Sequence, residues 1–313
     1  MNRCLYCYLP LTKEELDFHP SCSKKMFGQL LAPELPYSEA DLESLAKEVI
    51  QMQTAITGVQ AKLSLHLTGN NKKESSKRFT IVGLWGGYIL KPPAVFYQQL
   101  PEVEDLTMHL ASLAKIKTAP HSLIRLASGN LAYITKRIDR VKKGKLAMED
   151  MCQLTERLTE DKYHGSYEQI GKTIQKYSAT SGLDLVNFFE VVLFSFLTGN
   201  ADMHLKNFSL LEQSSLGMVL SPAYDLVNTS LVNPSDDEDL ALNLNGKKKK
   251  LKKKDFIAAM GSLNIDEKQQ QNIFAKMEKA KLKWMNQIDI SFLNAEFKEQ
   301  YKKIIIERFS RIN

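Results

Sequence analysis

Asp202 and Asn207 stand five residues apart in the polar string Thr198-Gly199-Asn200-Ala201-Asp202-Met203-His204-Leu205-Lys206-Asn207-Phe208, directly after a strongly apolar run. A carboxylate in such a loop can accept the proton of a substrate hydroxyl, and an Asn at D-x4-N spacing can ligate magnesium. Eighteen residues beyond Asn207, Pro222-Ala223-Tyr224-Asp225-Leu226 supplies a second acidic group at a strand–loop boundary. Asn207 and Asp225, together with ATP phosphate oxygens, form a hard-oxygen set suited to Mg2+. The chemistry open to these residues is phosphoryl transfer. An isolated Asp/Asn pair is more often a cap or turn former, so the order of the surrounding elements has to carry the reading.

That order fits. Ile89-Leu90-Lys91-Pro92 ends a short strand on a lysine placed to contact the α- and β-phosphates. A helix follows from about Val103 to Ile116, with Glu104 as the ion-pair partner of Lys91 and Glu102 as its competitor. The turn Thr57-Gly58-Val59-Gln60-Ala61-Lys62 can lay backbone N–H groups over phosphates. With a single glycine it is also an ordinary hairpin turn.

Stepping outward, a helix runs from about residue 36 to 53, opened by Ser38-Glu39-Ala40-Asp41, a capping box with Asp in the acidic slot. Alternation marks a strand–turn–strand over Ile56–Leu67 and strands at Phe79–Val82, Tyr88–Leu90 and Ala132–Thr135. After residue 145 the pattern turns helical: Asp184–Leu197 is apolar on nearly all sides, as a buried helix is, and further helices span 254–260, 267–287 and 295–309. The expected fold class is α+β with two lobes: a Cys/His-containing segment over 1–30, a small β-rich N-lobe over 31–138 and a larger α-helical C-lobe over 139–313.

The net charge of +6 lies in one place, because seven lysines crowd into residues 247–254 and the rest of the chain sums to −1. A general phosphate-backbone-binding surface is thereby excluded. The lysine run and the acidic run Ser235–Asp239 read as loops; for the lysines, the rival to a solvated loop is contact with an acidic partner, tRNA or the ATP cleft. The apolar stretch Phe188–Leu197 contains Glu190 and falls short of the roughly 20 residues a bilayer requires. The start lacks a signal-peptide apolar region, so the expected location is the cytoplasm, with no membrane partner. Cys4, Cys7, His19 and Cys22 give C-x2-C-x11-H-x2-C. Two close pairs at that spacing suit a tetrahedral Cys3His zinc site; four unlinked residues in a loop-rich terminus are the alternative.

These residues closely resemble the HipA family of bacterial toxin kinases. The matching pieces are Gly58-Val59-Gln60-Ala61-Lys62 (G-x-Q-x-K in the family), Ile89-Leu90-Lys91, Lys136-Arg137-Ile138-Asp139-Arg140, Met148–Gln153, Gly199–Phe208 and Pro222–Leu226, within about residues 50 to 260. The Cys/His beginning resembles short HipT-like forms that lack the N-terminal subdomain of full-length HipA. The resemblance implies a serine/threonine protein kinase toxin of a toxin–antitoxin system, using ATP and Mg2+. Its substrates would be a protein, an aminoacyl-tRNA synthetase by analogy, and the chain itself. A cognate antitoxin would be the partner, with DNA reached only through it.

Carried over residue by residue, Asp202 is the proton acceptor, Asn207 and Asp225 the magnesium ligands, and Lys91 the phosphate lysine paired to Glu104. Thr57 to Lys62, His204 and Tyr224 line the nucleotide, and Lys136, Arg137 and Ile138 form the adenine hinge. Where relatives autophosphorylate on serine, this chain has Ala55 and Thr57, so self-inhibition would run through Thr57. Two rival classes are a small-molecule phosphotransferase of the aminoglycoside-kinase type and a non-catalytic nucleotide-binding co-repressor. Asn200-Ala201-Asp202 in place of His-Gly-Asp disfavours the first, and the intact set Lys91, Asp202, Asn207 and Asp225 disfavours the second.

Overall fold

The computed structural model describes residues 2–51, 62–68, 77–82, 86–142 and 144–313. Two compact units form. The first holds Met1–Asp105, Ala119–Arg137 and Ile290–Phe292, and the second Leu106–Thr118, Ile138–Asp289 and Leu293–Asn313.

The first unit begins with helix α1 (Pro20–Phe27), where Pro20 occupies a position whose N–H would have no helical partner. Helix α2 spans Glu39–Gln51. Its start is the expected box: the Ser38 amide and hydroxyl both donate to Asp41 Oδ2, at 2.8 and 2.7 Å. Strands β1 (Leu63–Thr68), β2 (Arg78–Ile81) and β3 (Tyr88–Lys91) precede helix α3 (Leu100–Leu113), and β4 (His121–Arg125) and β5 (Leu131–Lys136) follow. The five strands form an antiparallel sheet in the order β2-β1-β3-β5-β4.

Alternation in β1 sends Leu63 and Leu65 inward, where Phe79, Tyr88 and Leu90 are also buried. Phe27 from α1 meets Phe79 edge-on at 5.8 Å. Only glycine fits at residue 86, because a Cβ there would stand 2.4 Å from the Leu65 carbonyl oxygen. The boundary between the units falls inside α3, which starts three residues earlier than its apolar spacing predicts. Pro101 is tolerated in the first turn, where amides have no intrahelical acceptor.

The second unit contains the hairpin β6 (Arg140–Val141) and β7 (Gly144–Lys145), then β8 (Met148–Asp150), α4 (Met151–Leu154), α5 (Tyr167–Tyr177) and α6 (Ser181–Leu197). Strands β9 (Ser209–Gln213) and β10 (Gly217–Leu220) pair with β8 in the order β10-β9-β8. The sequence pattern after residue 145 is helical apart from a strand ending near Pro222, so β8 and β9 and the pairing of this sheet are not expected from it. Helices α7 (Thr229–Val232), α8 (Lys253–Gly261), α9 (Glu267–Asp289) and α10 (Ala295–Ser310) complete the unit.

Its core is α6, whose residues from Phe188 to Leu197 are all buried. Phe194 meets Trp284 edge-on at 5.4 Å, and the Trp284 indole donates to the Leu110 carbonyl at 2.8 Å. Burying each such aromatic contributes roughly 1.5–3 kcal/mol, so α6 fixes the point from which the loop at 198–208 departs.

The two charged runs pair with each other. Lys248 lies 3.5 Å from Glu238, and Lys249 bonds Asp237. Lys247 instead reaches the buried Asp255 at 2.8 Å. Asp239, also buried, accepts the Leu251 amide at 2.9 Å and the guanidinium groups of Arg308 and Arg311. Among the seven lysines, Lys247, Lys248 and Lys249 are thus in ion pairs within the unit, and Lys253 lies over the Phe274 ring, 5.2 Å from its centroid.

Candidate active site

The end of α6 turns through Gly199, which has φ +69°; a Cβ there would lie 2.8 Å from Asn228 Oδ1. Thr229 Oγ1 then clamps the turn, accepting from the Ala201 amide at 2.8 Å and donating to the Gly199 carbonyl at 3.2 Å. Asp202 follows, its amide held by Asn200 Oδ1 at 3.0 Å. Its carbonyl accepts both the His204 amide and the Asn207 side-chain Nδ2, each at 2.8 Å. Asn207 is buried, and with Nδ2 so engaged its Oδ1 receives no hydrogen bond among the described residues. That oxygen is a fitting ligand for a hard cation.

Tyr163 was not anticipated. Its hydroxyl donates to Asp202 Oδ1 at 2.6 Å, and its ring meets His204 edge-on at 5.0 Å. Burial, then the neighbouring Asp202 charge, pushes the phenol pKa up, so it stays a donor. His204 is buried, its Nδ1 has no hydrogen-bond partner among the described residues, and burial lowers its pKa, leaving a neutral ring.

The charges of both Asp202 and Asp225 act on Tyr163, pushing its phenol pKa up, and on His204, where they oppose the lowering by burial. The Asp225 backbone lies at φ +60°, a sparsely populated conformation for a non-glycine residue and one that recurs at functional sites. The preceding Tyr224 donates to the Lys206 carbonyl at 3.0 Å and shares a 2.5 Å hydrogen bond with Ser209. Lys206 in turn reaches Asp150 Oδ2 at 2.8 Å, while Asp150 caps α4 through the Gln153 amide. The Lys206–Asp150 bond ties the loop to β8, and the Tyr224–Ser209 bond ties the Asp225 segment to β9.

In the first unit, Lys91 Nζ lies 2.5 Å from Glu104 Oε1, both groups buried, and 5.4 Å from the centroid of the Tyr133 ring. Of the two glutamates in question, Glu104 makes the pair. The next residue on α3, Asp105, is fully buried and accepts from Tyr8 at 2.7 Å and from His121 Nδ1 at 2.6 Å. The segment Lys136–Ile138 is where the chain passes from one unit to the other, with the Arg137 amide on the Gly87 carbonyl at 2.9 Å. Lys62 is exposed just before β1, whereas Thr57, Gly58, Val59, Gln60 and Ala61 lie outside the described residues.

Glu102 has a different fate. Burial, with Asp105 nearby, raises its pKa from 4.5 to about 7. A raised carboxyl pKa means that the folded state prefers the protonated form. That preference stabilises fully below pH 4.5, is lost as pH rises toward 7 and is absent beyond. Glu102→Gln cannot ionise, and should raise stability above the native chain by about 2 kcal/mol at pH 8 and hardly at all at pH 4. Urea midpoints at the two pH values measure this; an equal effect at both would remove titration as the cause.

At the amino end, the four candidate ligand atoms of Cys4, Cys7, His19 and Cys22 all lie within 4.8 Å of one another. Burial works against the Cys4 thiolate, but backbone N–H groups of His19, Tyr6 and Cys7 directed at its sulfur hold its pKa below the ordinary thiol value. Cys22 is pushed up to about 12 by burial and by the neighbouring sulfurs. Cys152 stands apart, buried in α4.

Solved structures of low identity establish the fold. HipA of Shewanella oneidensis, determined as a toxin–antitoxin complex of HipA, HipB and operator DNA, superposes with a TM-score of 0.67 at 21% identity, over 85% of this chain and 70% of its own. The Helicobacter pylori proinflammatory kinase CtkA gives 0.56 at 15% identity, over 80% of this chain and 93% of its own. The chain thus has a kinase-like α+β fold with a sheet-rich region and a helical region.

Residues 54–285 match the HipA-like C-terminal domain family, and the chain belongs to that family. Among curated relatives, a protein of Sinorhizobium fredii named as a candidate kinase, Y4dM, is 32% identical over 63% of this chain. A second candidate kinase, from Haemophilus influenzae, is 28% identical over 74% of it. The matched region spans 50% of the length of the first relative and 69% of the second.

Proposed function

We propose that the chain is an ATP- and magnesium-dependent kinase that phosphorylates a serine or threonine hydroxyl of a protein. The observation that carries this reading is the Tyr163 hydroxyl 2.6 Å from Asp202 Oδ1. The Tyr163 hydroxyl supports the reading because it shows the Asp202 carboxylate accepting from a hydroxyl, as it would from a phosphate acceptor, while Asn207 Oδ1 and Asp225 are the candidate cation ligands. In the reaction, the substrate oxygen bonds to the γ-phosphorus, the bond from that phosphorus to the β–γ bridging oxygen breaks, and ADP leaves. The hydroxyl proton passes to Asp202.

Magnesium, when bound, neutralises phosphate charge; Asn207 and Asp225 are the residues to hold it. Lys91, oriented by Glu104, would contact the α- and β-phosphates. Thr57 to Lys62 would cover the phosphates, Lys136 to Ile138 the adenine, and His204 and Tyr224 would border the nucleotide. Family membership and the likeness to a HipA solved with HipB and operator DNA support a toxin role with a cognate antitoxin. From the motif resemblance alone, the proposed substrate is an aminoacyl-tRNA synthetase, the proposed self-modified residue is Thr57 and the proposed site of action is the cytoplasm. No helix among the described residues is long and apolar enough to cross a membrane.

The test is incubation with γ-labelled ATP, Mg2+ and bacterial lysate, followed by identification of labelled proteins and of phosphate on residues 54–64. Asp225→Asn is the control of choice, because asparagine tolerates the left-handed backbone at this position while losing the charge. Labelling should fall at least about a hundredfold in that variant. Equal labelling by a folded Asp225→Asn chain would sink the assignment.

A further inference from the structure

The cluster at the amino end brings four potential metal ligands, from Cys4, Cys7, His19 and Cys22, within 4.8 Å of one another. Two sulfurs converge on one imidazole nitrogen: Cys7 Sγ lies 3.4 Å and Cys22 Sγ 3.7 Å from His19 Nδ1. A tetrahedral zinc with Zn–S near 2.3 Å and Zn–N near 2.05 Å has an S···N edge of about 3.6 Å. The other ring nitrogen, Nε2, lies 3.0 Å from the Pro10 carbonyl. As the ring's proton donor it leaves the Nδ1 lone pair facing the sulfurs, and such a second hydrogen bond is what orients a metal-bound histidine. One lone pair cannot serve two thiol protons, whereas a single cation serves all four atoms. Three thiolates and an imidazole favour zinc over hard cations.

The cluster is also wired to α3. Cys4 and Cys7 enclose the turn that ends at Tyr8, whose amide bonds the Cys4 carbonyl at 2.9 Å and whose φ is +65°. Tyr8 is fully buried and donates to Asp105, the neighbour of Glu104. The same turn places the Leu5 carbonyl on Ser122 Oγ at 3.1 Å and on the Leu123 amide at 3.3 Å, at the edge of the sheet.

We propose that Cys4, Cys7, His19 and Cys22 hold one zinc ion, and that the ion braces the start of α3 through Tyr8 and Asp105. Binding displaces three thiol protons to solvent and leaves the site with a net charge of −1. No residue of the phosphoryl-transfer loop takes part, so this inference stands or falls apart from the kinase reading.

The full chain, purified under reducing conditions without chelator, should carry about one zinc per chain by elemental analysis. Exchange of that metal for Co2+ should give a thiolate-to-cobalt charge-transfer band with tetrahedral d–d absorption. Cys7→Ser should lose the metal and Cys152→Ser keep it. Should Cys7→Ser fail to fold, the cobalt spectrum of the native chain still decides. Metal-free protein with no band on adding Co2+ would overturn the site. For the brace, chelation should speed amide exchange at residues 103–105 by about tenfold or more. Unchanged exchange there after complete zinc removal would overturn the coupling.

Discussion

Asp202→Asn should lower the rate of phosphoryl transfer by about 10^2 to 10^4, the range associated with losing a positioned proton acceptor. The substitution is close to isosteric. An asparagine can still accept the Tyr163 hydroxyl that now lies 2.6 Å from Oδ1, and the backbone bonds of residue 202 to Asn200, His204 and Asn207 do not involve the carboxylate. Stability should therefore change little. Nucleotide affinity should also be nearly kept, because the lost charge acts on the acceptor hydroxyl.

Single-turnover rates with saturating ATP, beside a thermal melt, separate these effects. A folded Asp202→Asn chain that retains its rate would remove Asp202 from the chemistry. Tyr163→Phe supplies the complementary measurement: it clears the phenol from the carboxylate without touching the acceptor, and should leave transfer within about tenfold of native.

The parts of this site that the sequence disclosed are those held by local chain geometry. Asp202 and Asn207 are five residues apart, and the bond from Asn207 Nδ2 to the Asp202 carbonyl closes within the loop. Gly199 was legible as the end of an apolar helix, although only the structure shows that Asn228 and Ser230 leave no room for a side chain there. Tyr163 escaped because it is 39 residues from Asp202 and lies in a polar stretch without periodicity. Tyr8 and Asp105 are 97 residues apart, and nothing in the spacing of either joins them.

The choice between Glu102 and Glu104 was likewise open in the sequence, since both fall near the start of one helix. Burial separates them: Glu104 is neutralised by Lys91, while Glu102 answers burial by holding its proton. The sheet of β8, β9 and β10 was missed for a related reason. Met148-Glu149-Asp150 is three residues long and mostly polar, so it declares itself a strand only once Leu210 and Leu211 pair with it. The charged runs at 235–239 and 247–254 each look solvated alone. Their pairing, Lys248 with Glu238 and Lys249 with Asp237, is a tertiary fact.

Breaking the Lys91–Glu104 pair from one side should destabilise the fold by about 3–5 kcal/mol, the usual consequence of leaving a buried charge without its nearest counter-charge. Lys91 is 4% and Glu104 2% exposed, so solvent can screen neither. Lys91→Met and Glu104→Leu should each lower the urea midpoint by a corresponding amount with an unchanged slope. The double variant should recover most of the loss, because two apolar side chains of similar volume also avoid the desolvation of two ions. The methionine can keep packing near the Tyr133 ring, over which the lysine ammonium now sits at 5.4 Å. Activity should not recover with stability: if Lys91 contacts the α- and β-phosphates, the double variant folds and fails to transfer phosphate. That divergence separates a structural pair from a functional one. A double variant as unstable as either single change would mean that the pair's neighbours, rather than its charge, hold this part of the fold. A stable double variant with native transfer rates would remove Lys91 from the site.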